Sequence, residues 1–279
     1  MNKIKIYLLR KKSLHLILLL LIAKTAISQT GVHLMNDPIP GSTGLTSISP
    51  MQKSYNPSVL IRTTKPALSV SISPSRFGLS ELSPGYMLFS YPFFIFLTAA
   101  ISGFGIGNEL YNEISGGFHS AYSISENMAI GCSFEYYRLS IEDFKDDDSY
   151  QIHLGAVFDI NDYMSAGVVV KNINNGHYQG GDKYTSQYGN LSMGFIIAKE
   201  FKLDAGVQIS TIGQSGFSLA ASYAIEKILK FRIAALSNPR IVSGGVSIVA
   251  LPYIDIISMS NYHDFLGWSH SFGLSVYFE

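Results

Sequence analysis

Charge is scarce in this sequence. Asp, Glu, Lys and Arg make up 14% of its 279 residues, against about 25% in soluble globular proteins. That excludes a disordered chain, a coiled coil and the surface of an ordinary cytosolic enzyme. Cysteine is nearly absent. Cys132 stands alone, so neither an internal disulfide nor a multi-cysteine metal site can form. Tryptophan is also single, at Trp268, but 17 Tyr and 17 Phe accompany it. That aromatic excess favours strands over helices.

The formal net charge of zero conceals an asymmetry. Lys3, Lys5, Arg10, Lys11, Lys12 and Lys24 lie within residues 1–28, which hold no acid. Without those six, 14 basic residues face 20 acidic ones, a net charge of about −6. An acidic chain lacks the basic surface that neutralises phosphates, which excludes nucleic acid as a partner.

The cationic start precedes an apolar run over residues 16–23 and then Ala26-Ile27-Ser28. This order predicts a secretory signal over residues 1–28, cleaved before Gln29. The run is too short to span a bilayer as an anchor, and no cysteine follows it for a lipid anchor. A second uncharged stretch, residues 86–107, is long enough for a transmembrane helix. Pro92 at its centre, Gly103, Gly105 and Gly107, and the crowded aromatics Tyr86, Phe89, Tyr91, Phe93, Phe94 and Phe96 oppose a helix. They predict two strands joined at Pro92.

Strict alternation dominates the rest of the chain. Phe201, Leu203, Ala205, Val207 and Ile209 alternate with Lys202, Asp204, Gly206, Gln208 and Ser210. Trp268, His270, Phe272, Leu274, Val276 and Phe278 alternate with Ser269, Ser271, Gly273, Ser275 and Tyr277. The stretches 150–160, 191–197 and 217–225 repeat the pattern. One face is apolar and the other small or polar, as in a strand between two different environments.

Turn signals divide residues 67–279 into about fourteen strands. The expected limits are 67–76, 84–91, 93–104, 110–124, 128–142, 149–160, 163–173, 187–198, 201–211, 217–227, 229–238, 240–250, 252–262 and 267–278. Most have about 10–12 residues, close to the roughly 9–11 that cross a bilayer at a tilt, whereas soluble strands average about 5–6. Connections after even-numbered strands are minimal, as at Glu126-Asn127, Lys199-Glu200 and Leu251-Pro252. Those after odd-numbered strands are mostly longer and polar, as at 143–148, 174–186 and 212–216.

Short turns at one rim and long loops at the other predict an all-β fold, an antiparallel transmembrane β-barrel of the outer-membrane type. Lipid offers no hydrogen-bond partners, so a sheet within it must close on itself. A soluble sandwich or propeller also alternates, but with shorter strands and a more charged surface. Residues 29–66 do not alternate. They carry Asp37-Pro38-Ile39-Pro40-Gly41 and Tyr55-Asn56-Pro57-Ser58, and form either a disordered lead or a plug folded into the lumen.

The stretch Gly41-Ser42-Thr43-Gly44, followed by Tyr55-Asn56-Pro57-Ser58-Val59-Leu60, resembles the N-terminal region of FadL-like outer-membrane barrels. Those carry an Asn-Pro-Ala motif, matched at Asn56 and Pro57 with Ser58 in place of Ala. The segment Leu266-Gly267-Trp268-Ser269-His270 is similar to the closing strand of FadL-like barrels of Bacteroidota, among them PorV- and PorQ-like components of type IX secretion. The final strand also resembles the outer-membrane assembly signal, through Ser271, Gly273, Val276 and Phe278. It departs from that signal in ending on Glu279. Trp268 fits an aromatic girdle at the membrane interface.

Signals of catalysis are poor, and an enzyme is not expected. The His residues are scattered. His153 falls on a polar face, which places it in the lumen, and His270 shares its face with Trp268. The Gly103 to Gly107 glycines lack the spacing and following helix of a nucleotide loop. Asp143, Asp146, Asp147 and Asp148 lack the spacing of an EF-hand and fit a solvated loop. No cofactor is implied.

Outer-membrane lipid is the expected surrounding partner. The family resemblance implies either an uptake channel for a hydrophobic ligand or a structural adaptor whose loops dock secretion-system proteins. Short loops and a compact chain favour the adaptor. A soluble exported all-β binding module is the third alternative, and membrane partitioning would separate it from the other two.

Overall fold

The computed structural model describes residues 41–74, 76–78, 83–144, 146–177, 187–211 and 215–279. The expected signal over 1–28, residues 29–40 of the expected lead and most of the 174–186 loop lie outside the described residues. Fourteen strands run in chain order: β1 (Ala67–Ile72), β2 (Gly85–Phe94), β3 (Leu97–Gly107), β4 (Tyr111–Ser125), β5 (Met128–Ile141), β6 (Asp147–Asn161) and β7 (Met164–Lys171). They continue as β8 (Tyr188–Ile196), β9 (Phe201–Ser210), β10 (Gly216–Ile225), β11 (Leu229–Ser237), β12 (Arg240–Leu251), β13 (Ile254–His263) and β14 (Gly267–Tyr277).

Each strand pairs antiparallel with its neighbours in sequence, and β1 pairs with β14, so the sheet closes without an edge. The closing register runs from Ala67 opposite Tyr277 to Ile72 opposite Phe272. Inside this seam the Ser69 and Ser275 hydroxyls bond to each other at 2.8 Å.

Alternation decides which side chains face out. Phe118, Phe134, Leu154, Val168, Leu219, Ile233 and Ile256 are exposed on the outer surface, while their strand neighbours His119, Ser133, His153, Val169, Ala220, Ala234 and Asp255 are buried. An apolar belt of this extent carried by paired strands has the chemistry of a lipid-facing surface. The four-residue helix α1 (Pro50–Lys53) and a 3-10 turn over Pro57–Arg62 lie within the barrel.

Two expectations about connections need correction. Pro92 does not join two strands: it pairs with Thr98, and the turn lies at Ile95-Phe96. The β2–β3 register shifts between Pro92 and Phe94. A proline near such an irregularity leaves no regular ladder bond unmade, which is why the strand continues past it. The rims also contrast less than expected, because β11 and β12 are joined by Asn238-Pro239 alone and β13 and β14 by residues 264–266. In the described start of the 174–186 segment, Asn174 accepts from Ile152 N–H at 2.8 Å and donates to Tyr150 C=O at 2.8 Å. One amide side chain thereby continues the ladder along the edge of β6.

Candidate functional site: a plugged lumen

Residues 41–62 fill the lumen. Ser42, Thr43, Asn56, Val59 and Leu60 are fully buried or nearly so. Asn56, half of the expected N-terminal motif, holds this plug to itself and to the wall. Its amide donates to Ser42 C=O at 2.6 Å and to Val168 C=O at 3.2 Å. Its side-chain oxygen accepts from Ser58 N–H at 3.2 Å and Ser58 Oγ at 2.8 Å, which caps the 3-10 turn. Pro57 occupies the first position of that turn, where its fixed φ suits the geometry and its missing N–H costs nothing.

The wall makes room for the plug with glycine. A β-carbon on Gly131 of β5 would overlap the backbone of Pro57 and Ser58. On Gly155 of β6 it would overlap Asn56 Oδ1, and on Gly167 of β7 the Ser42–Thr43 peptide. On Gly194 of β8 it would stand 2.6 Å from Leu45 Cδ1. Four adjacent strands thus contribute a shallow seat, in which the wall's main chain meets plug main chain at Gly131 and Gly167 and plug side chains at Gly155 and Gly194. The sequence shows these positions as members of the small-polar face, but nothing in the alternation marks them as contacts.

Polar groups complete the attachment. Ser42 Oγ donates to Gly167 C=O at 3.0 Å, and the Thr43 hydroxyl bonds the buried Asp204 carboxylate of β9. Arg62 donates to Thr43 C=O at 2.7 Å and pairs with Asp159 of β6. Arg62 and Asp204 carry no motif that distinguishes them in the sequence from ordinary surface charges.

The lumen wall has two characters. Along β2–β4, inward-facing Tyr86, Leu88, Ala100 and Ala121 form an apolar strip covered by Met51 and Leu60 of the plug, with Ile61 and Phe104 beside them. A second apolar contact joins Val59 to Ala129 and Val157. A polar band lines the wall from β3 to β7 beside these apolar contacts. Glu135 and His153 lie 3.4 Å apart and are both buried, and the Tyr137 hydroxyl donates to Glu135. His153 Nδ1 accepts from Asn172 N–H at 2.9 Å, so a proton on Nε2 points at the carboxylate. His119 lies between Ser102 at 2.8 Å and Ser133 at 2.9 Å. The Lys171 ammonium sits 4.5 Å from the centre of the Tyr55 ring, a cation–π contact between wall and plug. His153 therefore does face the lumen, as its position in the alternation predicts.

The remaining sequence-singled residues lie apart from the plug. Ser271 and Gly273 face inward on β14, while Phe278 beyond its end is exposed and packs edge-on near Phe89, ring centres 6.4 Å apart. Val276 pairs with Leu68 across the closing seam and with Ile254 of β13 on its other side. Trp268 is exposed on the outer face, stacked with His270 and close to Tyr262. Asp148 pairs with Arg138 rather than with its acidic neighbours. Among the described residues no three His, Cys, Asp or Glu side chains converge as metal ligands.

No family model matches the sequence, and no curated protein matches it. Solved structures do match in fold. The Pseudomonas putida toluene transporter TodX aligns with a TM-score of 0.64 at 10% identity, over 90% of this chain and 98% of that one. The CymD monoaromatic hydrocarbon channel aligns with a TM-score of 0.62 at 12% identity, over 88% of this chain and 99% of that one. A Pseudomonas aeruginosa FadL homologue aligns with a TM-score of 0.54 at 10% identity, over 86% and 98%. At these identities the likeness is one of fold: the chain has the closed-barrel architecture seen in these channels.

Proposed function

We propose that this protein is an outer-membrane channel for hydrophobic small molecules, closed by residues 41–62. The observation that carries the proposal is the apolar strip of Tyr86, Leu88, Ala100 and Ala121 beneath Met51 and Leu60. A strip of this kind gives an apolar solute a surface to follow once the plug shifts, whereas ions would face the buried polar side. The fold shared with TodX and CymD, which are hydrocarbon channels, points the same way. That shared fold favours the channel over the adaptor that the short loops suggest.

In this proposal residues 1–28 are the cleaved export signal. The turns at Glu126-Asn127 and Lys199-Glu200 face the periplasm, and the β7–β8 connection faces outward. Ser271, Gly273, Val276 and Phe278 form the assembly signal, and Trp268 anchors the outer interface. Uptake into liposomes tests the channel. Vesicles with reconstituted protein should take up a monoaromatic hydrocarbon faster than empty vesicles while remaining tight to potassium. Equal hydrocarbon uptake by both would reject the proposal.

A further inference from the structure

A cavity of about 290 Å³ opens at the short-turn rim between the plug and the ends of β9, β10 and β11. Its plug side presents Lys53, Arg62 and Ser47, and its wall side Lys199, Lys202, Lys230 and Ser222. Glu200 is the one acid among the lining residues. Arg62 is already paired with Asp159. Among the described residues, Lys53, Lys199, Lys202 and Lys230 form no ion pair.

Four unneutralised ammonium groups around one concavity repel each other, and the partly apolar walls weaken solvent screening. At Lys53, burial first and then the charges of Lys230, Arg62 and Lys202 lower the pKa to about 8. Nothing in barrel closure demands cations here, since the neighbouring inward positions Ser222 and Ala224 are small and uncharged.

We infer that this cavity is a binding site for a phosphoryl anion, which bridges the plug to the wall. A compact multivalent oxyanion suits several flexible ammonium donors with two hydroxyls, Ser47 and Ser222, at the margin. The group can come from free phosphate or from a phospholipid headgroup at the rim. Bound there, it links Lys53 of the plug to Lys202 of β9 and Lys230 of β11. This inference does not depend on what the lumen carries.

The test uses the whole protein in detergent, titrated calorimetrically with inorganic phosphate. Wild type and Lys65→Gln, whose exposed lysine lies outside the cavity, should bind saturably and equally. Lys202→Gln/Lys230→Gln should bind at least about tenfold more weakly, a loss of about 1.4 kcal/mol or more. Heat-modified gel migration establishes that each variant is a folded barrel. A second arm repeats the titration in phosphatidylcholine nanodiscs with and without phosphatidylglycerol. Competition by phosphatidylglycerol identifies a headgroup as the source, and unchanged phosphate binding identifies the free anion. Absence of saturable phosphate binding, or equal binding by the double variant, overturns the site.

Discussion

Gly155 on the barrel wall faces Asn56 of the plug so closely that a β-carbon on the glycine would overlap the asparagine side-chain oxygen. That oxygen also caps the turn beginning at Pro57. Wall and plug therefore depend on the same atom. A Gly155→Val barrel should still assemble, because the strand ladder does not involve the missing side chain. Its plug should lose its seat, at a cost of about 1–3 kcal/mol from overpacking. Planar-bilayer recordings should show increased ion conductance relative to wild type. A folded Gly155→Val barrel with wild-type conductance would show that the glycine seat does not hold the plug.

On β9 the faces are legible but their tolerance is not. Val207 is exposed on the apolar side, and Val207→Arg should destabilise the barrel in lipid by about 2–4 kcal/mol. From alternation alone Gly206→Arg should be mild, since a wet lumen would hydrate the guanidinium. The structure reverses that. A β-carbon at Gly206 would stand 2.8 Å from Ser192 Cβ and 2.9 Å from Leu191 C=O. Gly206→Arg should therefore be at least as damaging as Val207→Arg in urea unfolding from vesicles. A clearly milder Gly206→Arg would mean that the wall at β8–β9 is looser than these contacts imply.

The contrast between Gly206 and Val207 shows where sequence stops being informative. A period of two is a local property, so it reports face, strand number and closure, and it places His153 and Asp204 inside correctly. Contacts between the plug and the wall join residues tens to more than a hundred positions apart, as in Val59 with Ala129 and Asn56 with Val168. No local pattern encodes them. Asn56 and Pro57 stand out in the sequence only through a short motif, while Gly131, Gly155, Gly167 and Gly194 are indistinguishable there from glycines that merely alternate. Pro92 departs from its local signal for a related reason. Its local turn tendency gives way to the ladder around it, which shifts register nearby rather than ending there.

Phe278 and Phe217 separate assembly from stability. Both are exposed to the outer side, Phe217 at 72% and Phe278 at 43%, so Phe217 makes the fewer contacts to lose within the barrel. Phe278 N–H also bonds Pro66 C=O at 2.9 Å, which ties the chain end to the start of β1 whatever the side chain. If the C-terminal pattern guides insertion, Phe278→Ala should lower the amount of folded barrel in outer membranes severalfold, and Phe217→Ala should leave it near wild type. Quantitative blots of heat-modifiable protein from membrane fractions decide this. Equal yields would remove Phe278 from any role in assembly.

Lys53 yields a pH dependence whose sign is fixed by its surroundings. Its ammonium donates to Arg62 C=O at 3.2 Å, but burial and the nearby Lys230, Arg62 and Lys202 lower its pKa from 10.5 to about 8. A lysine with a depressed folded-state pKa opposes folding while it is charged. The full penalty applies below pH 8, shrinks as pH rises from about 8 toward 10.5, and vanishes above that range. After allowance for solvent reaching the cavity, the penalty at neutral pH is about 1–3 kcal/mol. Wild-type barrel in phosphate-free buffer should thus gain stability between pH 8 and 10.5 relative to Lys53→Met, which removes the charge and keeps the stem. At pH 7 Lys53→Met should be the more stable of the two. Urea unfolding of both proteins across this range measures the difference, which cancels the titration of groups they share. Parallel curves, or a wild type that weakens relative to Lys53→Met on the alkaline side, would mean that Lys53 is not held in a repulsive cluster.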